Sequence, residues 1–283
     1  MSLITIKNDR MTVVISTKGA EMQSIKDANG IERLWQGDPA FWAGRAPILF
    51  PVAGGMKDDG YTLDGVAYTM PKHGLVRKEE WQLESAAEDT ATFAISLSKE
   101  GSFPFRYTLR ATYTLAGDSI KIENTVTNED DRELVYSIGS HEAYATPEGI
   151  ESYYVESDTE ECWASHTLIG NLITHETNVI SENTRVFPLK YEYFAVDALV
   201  FTDLKTRALT LRSPLHDRAI RVEYPDCDVL MLWTKPGAGY ICIEPWRNGP
   251  DYVDAPADIR KKPGFVAVPA GETSVTTHTL TLL

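Results

Sequence analysis

The chain has 283 residues, of which 43% are hydrophobic and 24% charged, the composition of an ordinary soluble protein large enough to build a core. Its formal net charge of −14 predicts repulsion from nucleic acid and from anionic membrane surfaces. The sequence has three scattered cysteines, Cys162, Cys227 and Cys242, and their spacing predicts free thiols. It shows no signal-peptide pattern and no apolar run of about 20 residues, so we expect a cytoplasmic protein.

Alternating apolar and polar residues predict β-strands along much of the chain, because successive side chains of a strand point to opposite faces. The predicted strands cover residues 3–7, 11–16, 81–85, 91–98, 105–128, 133–141, 208–213, 219–224, 229–234, the first part of 239–250, and 273–283. Residues 116–119 predict a hairpin turn within the longest segment, and 191–197 predict one short helical turn. Without linkers, repeats or amphipathic helices, the sequence predicts one all-β domain over residues 1–283, folded as a sandwich of two large antiparallel sheets or as a barrel.

Several sequence motifs of common enzyme classes are missing. The chain has no Walker A sequence and no GxGxxG after a strand, so no nucleotide cofactor is expected. It also lacks HExxH and GxSxG, which leaves a zincin or a serine hydrolase without support.

The strand that ends at His141 has an unusual face. Alternation puts Ser137 and Gly139 on the same face as His141, and small residues beneath a polar ring leave room for another group to approach it. A hydrogen-bonded structural histidine and a functional histidine both fit this pattern.

Glu244 lies in an apolar strand that Pro245 ends. A carboxylate on a buried face is costly unless it is paired, so Glu244 is either a structural acceptor or a general base. Other candidates are Arg45 and His73, in two Pro- and Gly-containing loops, and Asp197, an acid with apolar neighbours. Taken singly, each of these three also fits an ordinary surface or capping role.

Four segments, taken in order, resemble the aldose 1-epimerase (galactose mutarotase-like) family, and most closely its LacX-type branch. They are GRAPILFPVAGGMKDDGYTLDGVAYTMPKHGLVR at 44–77, IGSHEAY at 138–144, DALVF at 197–201 and YICIEPW at 240–246. The resemblance extends over nearly the whole chain. It implies a large antiparallel β-sandwich that converts the α and β anomers of a free aldose without a cofactor.

The resemblance also implies roles for individual residues. The family's general acid falls on His141 and its general base on Glu244, while Arg45, His73 and Asp197 match its sugar-contacting residues. Carboxylates near His141 would favour the imidazolium ion, so we expect a raised histidine pKa and a coupled acid–base pair. The family often has a proline where this chain has Glu142, so the sugar preference stays open.

The residues leave several alternatives. The chain could be a sugar-binding protein without catalysis on the same scaffold. It could act on a hexose 6-phosphate, for which Arg45, Lys72 and Arg77 are available cations.

Two further alternatives involve the acidic residues directly. Asp197 and Glu244 could be the carboxylates of a glycosidase. His73, His141 and Glu244 could form a zinc site, although their spacing matches no local metal motif.

Overall fold

The computed structural model describes residues 1–97 and 101–283, which form antiparallel β-strands and a few short 3₁₀ turns. The first strands are β1 (Leu3–Lys7), β2 (Met11–Ser16), β3 (Met22–Asp27), β4 (Ile48–Leu49), β5 (Gly60–Leu63), β6 (Val66–Thr69), β7 (Gln82–Ala86), β8 (Thr90–Ile95), β9 (Tyr107–Ala116), β10 (Ser119–Asn128) and β11 (Leu134–Tyr136). The remaining strands are β12 (Ile138–Ser140), β13 (Ala143–Ala145), β14 (Tyr154–Ile169), β15 (Leu172–Pro188), β16 (Leu199–Phe201), β17 (Ala208–Ser213), β18 (His216–Glu223), β19 (Val229–Trp233), β20 (Tyr240–Arg247), β21 (Val266–Val268) and β22 (Thr273–Leu282). The 3₁₀ turns are Lys57–Asp59, Val76–Lys78, Ile150–Ser152, Tyr191–Phe194 and Ile259–Lys261.

Two large sheets dominate the fold. The nine-stranded sheet has the order β15-β14-β17-β18-β22-β10-β9-β8-β7, and the six-stranded sheet has β16-β19-β20-β12-β4 with β13 also paired to β20. One contiguous core cluster contains residues of both, such as Ile122 and Leu209 from the first and Ile241 and Ile243 from the second. The core therefore lies between the two sheets, as in a β-sandwich.

The predicted fold class is confirmed, and several predicted strands have the observed bounds. β1, β2 and β17 begin and end where the alternation predicts, and the 116–119 segment is the hairpin turn between β9 and β10. The predicted strand 91–98 corresponds to β8, and residue 98 lies outside the described residues. The longest hairpin, β14–β15, was not predicted.

The three cysteines are free, as predicted, with Cys162 exposed and Cys227 and Cys242 buried. In the part of the chain that the structure describes, no helix is long and apolar enough to cross a membrane.

Candidate active site

His141 and Glu244 face each other across neighbouring strands. The pairing of β12 with β20 sets Gly139 opposite Trp246, and the pairing of β13 with β20 continues the same register. Two residues further along, His141 therefore lies opposite Glu244, although the break between β12 and β13 releases His141 from regular strand geometry. The two side chains meet, with 3.4 Å between His141 Nε2 and Glu244 Oε2.

Both side chains line a cavity of about 350 Å³, which lies within the usual size range of small-molecule sites. The charged and aromatic residues of its lining are Trp42, Lys72, His73, Arg77, His141, Asp197, Trp233, Lys235, Glu244 and Trp246. Four of the five predicted site residues are thus brought together in one cavity, and Arg45 is not among them.

Aromatic rings hold His141 in place. Its ring stacks on Trp42, with 4.8 Å between centroids and 26° between planes, and meets the edge of Trp233 at 5.6 Å. The Nδ1 atom of His141 is buried and has no hydrogen-bond partner among the described residues. The imidazole is therefore oriented by packing, while its Nε2 atom contacts Glu244.

Burial shifts the pKa values of the pair in opposite directions. Loss of solvent lowers the pKa of His141 to about 3, and the nearby charges of Arg77 and Lys72 act in the same direction. Loss of solvent raises the pKa of Glu244 well above its ordinary value, although Lys72 opposes this shift. The expectation of a raised histidine pKa is thus wrong, because burial lowers the value and the two cations add to this effect.

His73 is a neutral hydrogen-bond donor to the cavity. Its Nδ1 atom accepts a hydrogen bond from the Gly54 amide at 3.2 Å, so the ring proton is on Nε2. Burial lowers the pKa of His73 to about 2, with the charge of His141 as the next cause. The residue adopts a left-handed backbone conformation (φ 67°), which the following Gly74 continues. The tight loop therefore directs the histidine inward, whereas a loop histidine is ordinarily exposed.

Asp197 and Arg45 differ in their placement. Asp197 is half-buried at the cavity wall, where its Oδ1 atom accepts the Ala198 amide at 2.8 Å. Arg45 points elsewhere: its Nη1 atom donates to Gln23 Oε1 at 3.0 Å, and its Nη2 atom donates to the Gln36 carbonyl at 2.7 Å. These two contacts hold the terminal nitrogens of the guanidinium outside the cavity, and Arg45 is not among the lining residues, so its predicted sugar contact has no geometric support.

Several lining residues were not assigned to the site from the sequence. Arg77 and Lys72 appeared only as cations for a phosphorylated sugar, and Trp42 and Trp233 were not singled out. Lys235 lies in the turn between β19 and β20. The sequence feature that could have indicated a turn here is Lys-Pro-Gly, separated by two residues from the strand that carries Glu244.

The close approach predicted at Gly139 is made by an indole ring. A Cβ atom at Gly139 would lie 2.4 Å from Trp246 Cδ1, so only glycine leaves room for the ring. Trp246 is buried, and its Nε1 atom donates to the Ser140 carbonyl at 3.0 Å. Trp246 also meets the edge of His73, with 5.6 Å between centroids, and thus forms part of the cavity floor.

One set of side chains could hold a metal ion. Ligand atoms of His141, Cys242 and Glu244 all lie within 4.8 Å of one another, and zinc accepts this combination of nitrogen, sulfur and oxygen. The set differs from the predicted one, since Cys242 takes the place of His73. Burial raises the pKa of the Cys242 thiol well above its ordinary value, which opposes the thiolate form that a metal requires.

The chain is similar to known proteins over its whole length. A family model described as aldose 1-epimerase matches residues 2–281. Protein LacX, chromosomal, of Lactococcus lactis subsp. lactis is 35% identical over 296 residues, which cover 99% of each chain.

Two solved structures share the fold closely. A galactose mutarotase related enzyme from Lactobacillus acidophilus has a TM-score of 0.94 and 27% identity, covering 100% of this chain and 97% of its own. A galactose mutarotase-like protein from Lactobacillus casei has a TM-score of 0.92 and 28% identity, with full coverage of both chains.

Proposed function

The chain belongs to the aldose 1-epimerase family, and we propose that it interconverts the α and β anomers of a free aldose by acid–base ring opening. The observation that carries this proposal is the buried contact of 3.4 Å between His141 Nε2 and Glu244 Oε2 in a cavity of suitable size. A proton donor and a proton acceptor are both available there, and the reaction needs one of each.

The reaction breaks and reforms the C1–O5 bond of a cyclic hemiacetal. In the opening step the O1 hydroxyl loses its proton to the base, the C1–O1 bond becomes a carbonyl, and the ring oxygen O5 takes a proton from the acid. Rotation about the C1–C2 bond then presents the other face of the aldehyde to the O5 hydroxyl. Ring closure returns both protons, so the pair ends in its initial state and no cofactor is consumed.

The opposite pKa shifts of His141 and Glu244 favour a pair that carries one proton, as neutral imidazole and carboxylic acid. Transfer of the shared proton from Glu244 to His141 creates the carboxylate base and the imidazolium acid, and Lys72 favours this transfer by stabilising the carboxylate. Both forms contain the same number of protons, so the pair titrates as a unit.

The other lining residues can bind the sugar. His73 offers an Nε2 donor and Asp197 a carboxylate acceptor, which suits the hydroxyl groups of an aldose. Trp42 and Trp233 provide apolar walls for the C–H faces of the ring. We assign the role of sugar-contacting arginine to Arg77 rather than Arg45, because Arg77 lines the cavity.

The test is anomer exchange measured by NMR near pH 7 with wild type, Glu244→Gln and His141→Asn. Each substitution should lower the exchange rate by about 10²- to 10⁴-fold, the usual contribution of a general acid or base. The amide introduced by Glu244→Gln has the shape of the protonated carboxyl group, so this variant should remain folded. Exposed residues of the same types give the controls, Glu88→Gln and His175→Asn, which should exchange at the wild-type rate.

Other results would point to other functions. Sugar-induced stabilisation without faster exchange would favour a sugar-binding protein, and release of a chromogenic aglycone would favour a glycosidase. Wild-type exchange rates in Glu244→Gln would show that this acid–base assignment is wrong.

A further inference from the structure

The cavity and the whole chain differ in the sign of their charge. The chain has 41 acidic and 27 basic side chains, excluding histidine. The cavity instead has three cations, Lys72, Arg77 and Lys235, against the two acids Asp197 and Glu244. Burial raises the pKa of one of these acids, Glu244, which favours its neutral form. The cavity is thus locally cationic in a strongly acidic protein.

None of the three cations makes a salt bridge in the part of the chain that the structure describes. Among residues 1–97 and 101–283, no carboxylate oxygen lies within 4.0 Å of a side-chain nitrogen of Lys72, Arg77 or Lys235. The side chain of Arg77 makes one hydrogen bond, from Nη2 to the Lys72 carbonyl at 3.3 Å.

The two fully buried cations among the described residues are each paired with an acid. Arg33 lies 3.4 Å from Asp27, and Lys262 contacts Asp251. Lys72 and Arg77 are half-buried in the cavity wall, so their charges lie beside any anion that enters the cavity.

We propose that the substrate is an aldose that carries an anionic group, a phosphate or a carboxylate, bound by Lys72, Arg77 and Lys235. This inference rests on the proposed function and specifies its substrate class. Phosphate and carboxylate share the chemistry that these cations recognise, since guanidinium binds both through paired N–H donors and ammonium binds both as a point charge.

The test compares anomer exchange of glucose, galactose, glucose 6-phosphate, galactose 6-phosphate and glucuronate. We expect kcat/KM to be at least about tenfold higher for one of the anionic sugars than for its neutral parent, the scale of one hydrogen bond to a charged group. The preferred anionic sugar then distinguishes phosphate from carboxylate. Added salt should reduce the preference, because it screens the cations.

Substitutions of the cavity lysines test which residues cause the preference for an anionic sugar. Lys72→Met and Lys235→Met should each reduce the ratio of kcat/KM for the anionic sugar to that for its parent by about tenfold. The ratio cancels any general loss of folded or active protein. Lys121→Met, which removes an exposed lysine paired with Glu123 on β10, is the matched control and should leave the ratio unchanged.

Two outcomes would overturn the inference. In the first, neutral sugars exchange as fast as the anionic ones or faster, and neither lysine variant changes the ratio of kcat/KM between an anionic sugar and its parent. This result would refute the substrate class and leave the epimerase function intact. Absence of exchange with all five sugars, from folded protein, would refute both proposals together.

Discussion

Proton counting explains how a buried histidine and a buried glutamate coexist at the centre of this cavity. The ordinary pKa values of His141 and Glu244 are 6.5 and 4.5, so between these values the unfolded pair carries one proton, on the histidine. The opposite shifts of the two native pKa values favour one proton on the native pair as well, held by the carboxyl group of Glu244. Folding then moves the proton from the histidine to the glutamate, and the two shifts offset each other in the pH dependence of stability.

His73 behaves differently, and this leads to a prediction. Its native pKa is lowered to about 2 from an ordinary 6.5. Below pH 6.5 the unfolded state therefore binds a proton that the native state does not bind. The stabilising contribution of neutral His73 is thus present above the unfolded pKa and is lost as the pH falls towards the native pKa. From about pH 6 to about pH 5, the free energy of unfolding should fall by about 1 kcal/mol more in wild type than in His73→Asn.

Denaturant unfolding at the two pH values measures this difference. Asparagine tolerates the left-handed conformation at residue 73 and does not titrate, so the variant isolates the proton effect from backbone strain. The exposed His175→Asn is the control and should follow wild type. Parallel pH dependence in His73→Asn and wild type would mean that His73 can be protonated in the folded protein.

For single residues, the sequence predicted which side chains line the cavity better than it predicted their contacts and pKa shifts. His141, Glu244, His73 and Asp197 all line the cavity, because a family motif records which residues recur. The motif could not separate Arg45 from Arg77, the other arginine of the same segment, since the choice depends on which guanidinium lines the cavity. Nor could the motif give the direction in which the pKa of His141 shifts, because this direction depends on burial and on cations from other loops.

At the scale of single elements, β12 shows how one glycine supports the site. Its Gly139 lies beneath the Trp246 ring, and both residues belong to the paired strands that set His141 opposite Glu244. A side chain at residue 139 would have to displace an indole that is packed against His73 and hydrogen-bonded to Ser140. The strand therefore transmits a packing change directly to the proposed catalytic pair.

We predict that Gly139→Ala destabilises the protein by about 1–3 kcal/mol, the usual cost of overpacking, and lowers the rate of anomer exchange. Thermal unfolding and NMR exchange measure the two effects. Gly239→Ala is the matched control, because its Cβ atom would lie 3.4 Å from the Thr146 carbonyl, an ordinary contact. Similar stability losses in both variants would mean that loss of glycine, rather than the clash with Trp246, causes the effect.

The long hairpin of β14 and β15 marks the limit of prediction from alternation. These strands contain 16 and 17 residues, yet their pairing has four register shifts, and each shift interrupts the two-residue period. β15 lies at the edge of the nine-stranded sheet and is mostly exposed, so it has few apolar residues to reveal a buried face. In contrast, β9 and β10 pair without a shift and were predicted closely.

The whole molecule is held together by a core that extends from the first strand to the last. One cluster of buried residues includes Ile6 of β1 and Leu282 of β22, together with residues of both large sheets. The three-stranded sheet of β1, β2 and β3 contributes to the same cluster through Val13 and Ile25. Separate sheets thus share one core, and the single domain over residues 1–283 stays a prediction that unfolding experiments can test.

A shared core predicts cooperative unfolding. Loss of any one sheet would expose apolar surface of the others, so no part of the protein should unfold far in advance of the rest. In urea, far-UV circular dichroism should report the sheets, and tryptophan fluorescence should report both the cavity (Trp42, Trp233 and Trp246) and the core (Trp81 and Trp163). The two transitions should coincide, with one midpoint and one slope. A fluorescence change that clearly precedes the loss of β-structure would instead identify the cavity loops as a separate unit, and the single-domain prediction would then be wrong.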